Sequence, residues 1–124
     1  MTDPYRVLVT GSRDWLDVEA IWQAMGDVVR DAGQDREIVI VHGACPRGAD
    51  WHADRWARLA DARIERHPAD WARHGKAAGF RRNAEMVALG ADVALAFIRN
   101  GSRGASHTAA LAEKAGIPTR RFTA

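Results

Sequence analysis

The sequence predicts one α/β domain across residues 1–124, a three-layer fold around a five-stranded, mainly parallel sheet. Short β-rich apolar runs alternate with longer stretches of helical period along the whole chain. In so short a chain this alternation implies a parallel sheet with right-handed crossovers. The composition, 47% hydrophobic and 27% charged over 124 residues, is that of a globular chain of one-domain size.

The first strand runs from Tyr5 to Thr10 and ends in a turn at Gly11-Ser12-Arg13-Asp14. From Leu16 to Ala32, the residues Val18, Ile21, Trp22, Met25, Val29 and Ala32 recur at helical spacing, and Gly33 follows as a stop. Ile38 to Val41 is apolar on both faces, as a central parallel strand covered by helices must be, and runs into His42-Gly43. The second helix starts near Ala49 with a stripe of Ala53, Trp56, Ala57 and Ala60. Arg63 to His67 is a weaker strand stopped by Pro68, and Gly75 to Leu89 is helical in composition, closed by Gly90. Asp92 to Ile98 is the fourth strand, Gly104 to Ala115 the fourth helix, and Thr119 to Phe122 a short edge strand after Pro118. Periodicity does not separate a Rossmann-like from a flavodoxin-like strand order.

Lys plus Arg total 18 against 16 Asp plus Glu, leaving a net charge of +2 that is too balanced for a chain built to coat nucleic acid. Apolar runs are far shorter than the roughly 18–20 residues of a membrane span, and the N-terminus lacks a signal-peptide apolar region. A cytoplasmic location without a membrane partner is expected. The single cysteine, Cys45, excludes an internal disulfide framework and a multi-cysteine zinc site. The histidines show neither an HExxH motif nor paired ligand spacing, so no metal and no cofactor are expected.

In open parallel sheets ligands bind beyond the carboxyl ends of the strands, where the strand order reverses. The loops predicted there are Gly11-Ser12-Arg13-Asp14-Trp15, His42 to Asp50, and Asn100 to Ser106, each combining glycine with a hydroxyl or a basic group. Glycine lets the backbone approach a ligand, and a following helix N-terminus attracts an anion. The Gly101 to Ser106 loop fits a phosphate cradle best, its alternative being an ordinary glycine turn.

The loop after the second strand has glycines spaced as in a Walker motif, but Ala49-Asp50 stand where that motif needs Lys and Ser or Thr. Asp50 either caps the following helix or hydrogen-bonds sugar hydroxyls. The first loop lacks the GxGxxG dinucleotide fingerprint. Read locally, Arg81-Arg82-Asn83 is a solvated helix face. Trp15, Trp51 and Trp71 lie near turns, where such rings stack on a base, close a dimer interface or edge the core. Cys45 has no visible activating partner and reads as structural.

Together, Val9 to Trp15, His42 to Asp50, His67-Pro68-Ala69-Asp70-Trp71 and Gly75-Lys76-Ala77-Ala78-Gly79 closely resemble the YspA-like branch of the SLOG superfamily. That superfamily, on a Rossmann-like fold, includes the Lonely Guy phosphoribohydrolases, DprA-type DNA-processing proteins and sensors of nucleotide-derived signals. Its enzyme subgroup carries an Arg-Lys pair ahead of a Met and then a PGGxGTxxE loop. This chain offers Arg82-Asn83-Ala84-Glu85-Met86 and Asn100 to Thr108. Arg82 falls on the functional arginine, Gly101, Ser102, Gly104 and Ala105 on the phosphate loop, and Thr108 on the catalytic Glu.

The resemblance implies a nucleotide or nucleotide-derived ligand between the first and fourth strands, in a sensor, sequestering or processing role. Gly101, Ser102, Gly104 and Ala105 would hold its phosphate, with charge from Arg82, next to Asn83, and from Arg13. Gly11, Ser12, Gly43 and Asp50 would line the ribose side. An alternative is phosphoribohydrolase activity, with Arg82, Asp14 and Asp50 as candidate catalytic groups, since threonine cannot replace a carboxylate beside a developing ribosyl cation. A DprA-like DNA association is a second alternative, which the near-neutral charge disfavours. The resemblance also implies a homodimer, for which Trp51, Arg55 and Arg58 on the second helix offer a face.

Overall fold

A computed structural model of the chain describes residues 3–33 and 35–124. Its elements are β1 (Tyr5–Gly11), α1 (Val18–Ala32), β2 (Ile38–His42), α2 (Ala49–Leu59), β3 (Arg63–Arg66), α3 (Trp71–His74), α4 (Ala78–Leu89), β4 (Val93–Ile98), α5 (Arg103–Lys114) and β5 (Thr119–Thr123). The five strands pair in the order β3-β2-β1-β4-β5, and every pair is parallel. This is the Rossmann-like order, and it reverses between β1 and β4.

The period of two along each strand sorts the core into two faces. Val7, Val9, Ile40, Leu95 and Phe97 meet Ile21, Met25 and Val28 of α1 and Ala49, Ala53 and Ala57 of α2. On the other face, Leu8, Val39, Val41 and Ala94 meet Met86 and Val87 of α4 and Ala112 of α5, while Ala96 and Ile98 meet Ala105 and Ala109. Every residue of β4 is buried, which is why its sequence shows no polar alternation.

Two expectations are corrected, for the first helix and the helix from Gly75, and one of the readings offered for Trp15, an edge of the core, is the one observed. The first helix begins at Val18, capped by the Asp17 carboxylate on the Ala20 amide, and it is rotated from the predicted stripe: Trp22 and Val29 are 41% and 39% exposed, while Ala24 and Val28 are buried. Trp15 is 3% exposed, edge-on to Phe97 with centroids 5.4 Å apart, and its indole N–H donates to the Asp17 carbonyl at 2.8 Å, so it is a core residue. The predicted helix from Gly75 is preceded by α3, whose N-terminus is capped by Asp70. It reaches α4 through a 3-10 turn at Gly75–Ala77, because Gly75 has φ 55° and breaks the helical path.

The N-terminus of α2 is pressed against the loop after β1. The Ala49 amide donates to the Ser12 carbonyl at 3.2 Å. A Cβ on Gly11 would collide with the Ala49 methyl, so this approach requires glycine.

Candidate functional site

A cavity of about 320 Å³ opens where the strand order reverses, at the carboxyl ends of β1 and β4. This is the low end of the roughly 300–1,000 Å³ of small-molecule sites. The end of β1 and its loop contribute Gly11, Ser12, Arg13 and Asp14, the β2–α2 region Cys45 and Asp50, and the start of α5 Ser102, Gly104 and Ala105. The segment from α3 through α4 adds Trp71, Lys76, Phe80, Arg82 and Asn83. Of the predicted ligand residues, Gly43 and Gly101 are not on the lining.

Gly43 instead makes room for Arg82, because a Cβ there would fall among the guanidinium atoms. Arg82 is buried, against the local reading of a solvated helix face. Its Nη1 donates to the Gly43 carbonyl and, at 3.2 Å, to the His67 carbonyl, and its Nε donates to Asn83 Oδ1 at 2.6 Å. All three acceptors are neutral, and among the described residues no carboxylate pairs with it. A buried cation whose hydrogen bonds all go to neutral acceptors, and which lines a cavity, is arranged to receive an anion.

The loop that carries Gly43 is fixed from below. Asp50 Oδ2 accepts from the amides of Gly43 at 3.1 Å and Cys45 at 3.4 Å, and the Ala44 amide donates to His42 Nδ1 at 2.9 Å. The hydrogen on His42 is therefore on Nε2 and is donated to Asp54 Oδ2, 2.7 Å away. Arg58 Nε and Arg66 Nε complete the Asp54 shell at 2.9 and 2.7 Å. These contacts hold Ala44 at φ 59°, a left-handed conformation that a non-glycine residue adopts only under such constraint.

Asp50 does not cap α2. The N-cap position is Gly48, which has no side chain to offer, and the Asp50 carboxyl turns back to the preceding loop. Its Oδ1 is buried without a hydrogen-bond partner. Burial pushes this carboxyl above the usual carboxylate range. Burial, followed by the nearby Asp50 charge, also pushes the Cys45 thiol up, the opposite of an activated nucleophile.

Ser12 joins the two diverging loops. Its amide donates to the Phe97 carbonyl and its Oγ accepts from the Arg99 amide, both at 2.9 Å. Asp14 is exposed at the rim, where its carbonyl accepts from Arg99 Nη1 at 2.8 Å. Across the cavity, α5 begins at Ser102 with no side-chain cap and no acidic residue in its first turn. The unpaired amides of that turn and the helix dipole give a positive pole beside Ser102, Gly104 and Ala105. Thr108 is wholly buried and donates its hydroxyl to the Gly104 carbonyl at 2.9 Å, so it is off the cavity wall.

Trp71 is on the cavity rim, and Arg13 lies over its ring. Trp51 is on the outer face of α2 with Arg55 over its ring, whereas Arg58 is engaged by Asp54. Sequence reading missed the His42–Asp54 pair. The spacing of Asp50, Asp54 and Arg58 along one face of α2 was its only trace. Among the described residues, no three His, Cys, Asp or Glu side chains gather as metal ligands, and no helix is long and apolar enough to cross a membrane.

Comparison with known proteins places this geometry in context. A family model described as the YspA, cpYpsA-related SLOG family matches residues 5–74. The chain is similar to the Gene 61 protein of Mycobacterium phage D29, with 48% identity over 122 residues, covering 94% of this chain and 95% of that protein. No solved structure matches the chain.

Proposed function

The chain belongs to the YspA, cpYpsA-related SLOG family, and on that premise we propose that it binds a nucleotide or nucleotide-derived ligand in the crevice between β1 and β4. The observation that carries this reading is Arg82, a buried guanidinium on the cavity wall without a carboxylate partner among the described residues. The ligand phosphate lies between Arg82 and the first turn of α5, with Arg13 and Lys76 adding positive charge at the rim. Ser12 and Asp50 face the sugar.

The test is a thermal-shift panel of nucleoside mono-, di- and triphosphates, ADP-ribose and its cyclic form. A ligand at about a hundred times its Kd adds about 2.7 kcal/mol, a shift of several degrees for a domain of this size. A selective shift that is lost in Arg82→Gln supports the reading, and a flat panel overturns it.

Asp50 supports a second reading, cleavage of an N-glycosidic bond. A cavity carboxyl that burial holds above the usual carboxylate range is a candidate general acid. Release of free base from nucleoside monophosphates, abolished in Asp50→Asn, would establish it. No release at high protein concentration would remove it.

A further inference from the structure

Resting on the nucleotide-binding reading, we propose that Trp71 is the platform on which the planar base of the ligand stacks, with Arg13 as a movable second wall. Trp71 lines the cavity and is 51% exposed, so its ring is open to a ligand entering there. Its position is nevertheless fixed. It opens α3, where Asp70 Oδ1 accepts from the Arg73 amide at 3.1 Å, and its ring edge lies against Gly79, where a Cβ would be 3.5 Å from Cη2. The ring thus rests on α4 at a point without a side chain.

Arg13 reaches over the indole from the loop after β1, its Cζ 5.8 Å from the ring centroid. Among the described residues it has no ion-pair partner. A base inserted between two planar groups needs about 7 Å, twice the ~3.5 Å optimal contact of stacked atoms. The 5.8 Å between Cζ and the ring centroid is less than that, so Arg13 has to swing outward to admit the base, as a long flexible side chain can. Phe80, also exposed on the cavity lining, packs at right angles to the His107 ring at 5.1 Å. Trp71 has instead the flexible Arg13 side chain over its ring, and a nucleobase can stack on both an indole and a guanidinium.

The experiment titrates AMP, GMP, CMP and UMP, with ribose 5-phosphate as the base-free probe, against wild type, Trp71→Ala and Trp71→Phe by calorimetry. Base–aromatic stacking is lost on alanine substitution with roughly a 5- to 150-fold drop in affinity. The expected result is that drop for at least one nucleotide in Trp71→Ala, unchanged ribose 5-phosphate binding, and recovery of most nucleotide affinity in Trp71→Phe. Equal losses for nucleotide and ribose 5-phosphate, or nucleotide binding indifferent to Trp71, overturn the stacking role and leave the nucleotide reading standing. A wild-type protein that binds none of the four nucleotides overturns the stacking proposal, and one that is also flat across the whole thermal-shift panel overturns the nucleotide reading with it.

Discussion

Asp50 and Asp54 lie one turn apart on α2, both buried, and their carboxyls are shifted in opposite directions. Burial alone would raise Asp54, but hydrogen bonds from Arg66 and His42 outweigh it and hold the carboxyl down to about 2. Asp50 has two backbone amides on one oxygen and nothing on the other, so burial prevails. One turn of helix thus carries one carboxylate held ionised by its partners and one whose ionisation burial opposes.

Asp54 makes stability depend on acid. Its folded pKa of about 2 lies below the ordinary 3.8, so its contribution is present above the unfolded value and disappears as pH falls from about 4 through 2. The shift corresponds to about 2 kcal/mol. Asp54→Asn should be less stable than wild type by about that amount at pH 7, and urea midpoints for the two should converge toward pH 2. A difference constant across this range would show that the pair is not the source.

Asp50 carries the opposite sign. Its folded pKa is raised, so its ionisation costs stability, and the cost grows as pH rises from the unfolded value through the folded one. Asn at this position keeps an oxygen for the Gly43 and Cys45 amides and removes the charge. Asp50→Asn should therefore equal or exceed wild type in urea at pH 8, and the two should converge near pH 3. Asp50→Ala, which leaves both amides without their acceptor, should lose about 1–3 kcal/mol.

The sheet was legible because β2 and β4 are apolar on both faces and only helix-covered parallel strands read that way. The rotation of α1 was not legible. Its apolar arc is wide, and which edge faces the sheet is decided by the fit of Ala24 and Val28 against the core rather than by the size of Trp22. The site was legible where it is local, as in the turn before α5. It was hidden where distant chain segments meet: Arg82 is buried by Gly43 and His67, and Asp50 serves a loop rather than its own helix.

Two glycines of the predicted ligand set have separable roles. A Cβ on Gly11 would meet the Ala49 methyl and the Phe97 carbonyl oxygen, 3.0 Å away, both set in packed core, so Gly11→Ala should cost about 1–3 kcal/mol of stability. A Cβ on Gly43 would meet only the end of the Arg82 side chain. Gly43→Ala should displace that guanidinium and weaken ligand binding while losing less stability than Gly11→Ala. Denaturation and calorimetry on both variants check the assignment, and a Gly43→Ala protein with wild-type affinity would remove Arg82 from the ligand site.

Gly104 offers a test in which stability and binding move in opposite directions. It is in the first turn of α5, on the cavity wall, and a Cβ there would meet nothing within 4 Å. An acidic residue in a first turn opposes the helix dipole favourably, worth about 0.3–1 kcal/mol, and replacing glycine removes a helix-weakening residue. Gly104→Asp should therefore raise the urea midpoint. The same carboxylate would stand where the ligand phosphate is proposed to sit and repel it, so nucleotide affinity should fall at least about tenfold, a 1.4 kcal/mol penalty. A destabilising substitution can lower affinity by loosening the site, but a stabilising one that abolishes binding can act only through the occupied space and its charge. Unchanged affinity in a stabilised Gly104→Asp protein would move the phosphate away from α5.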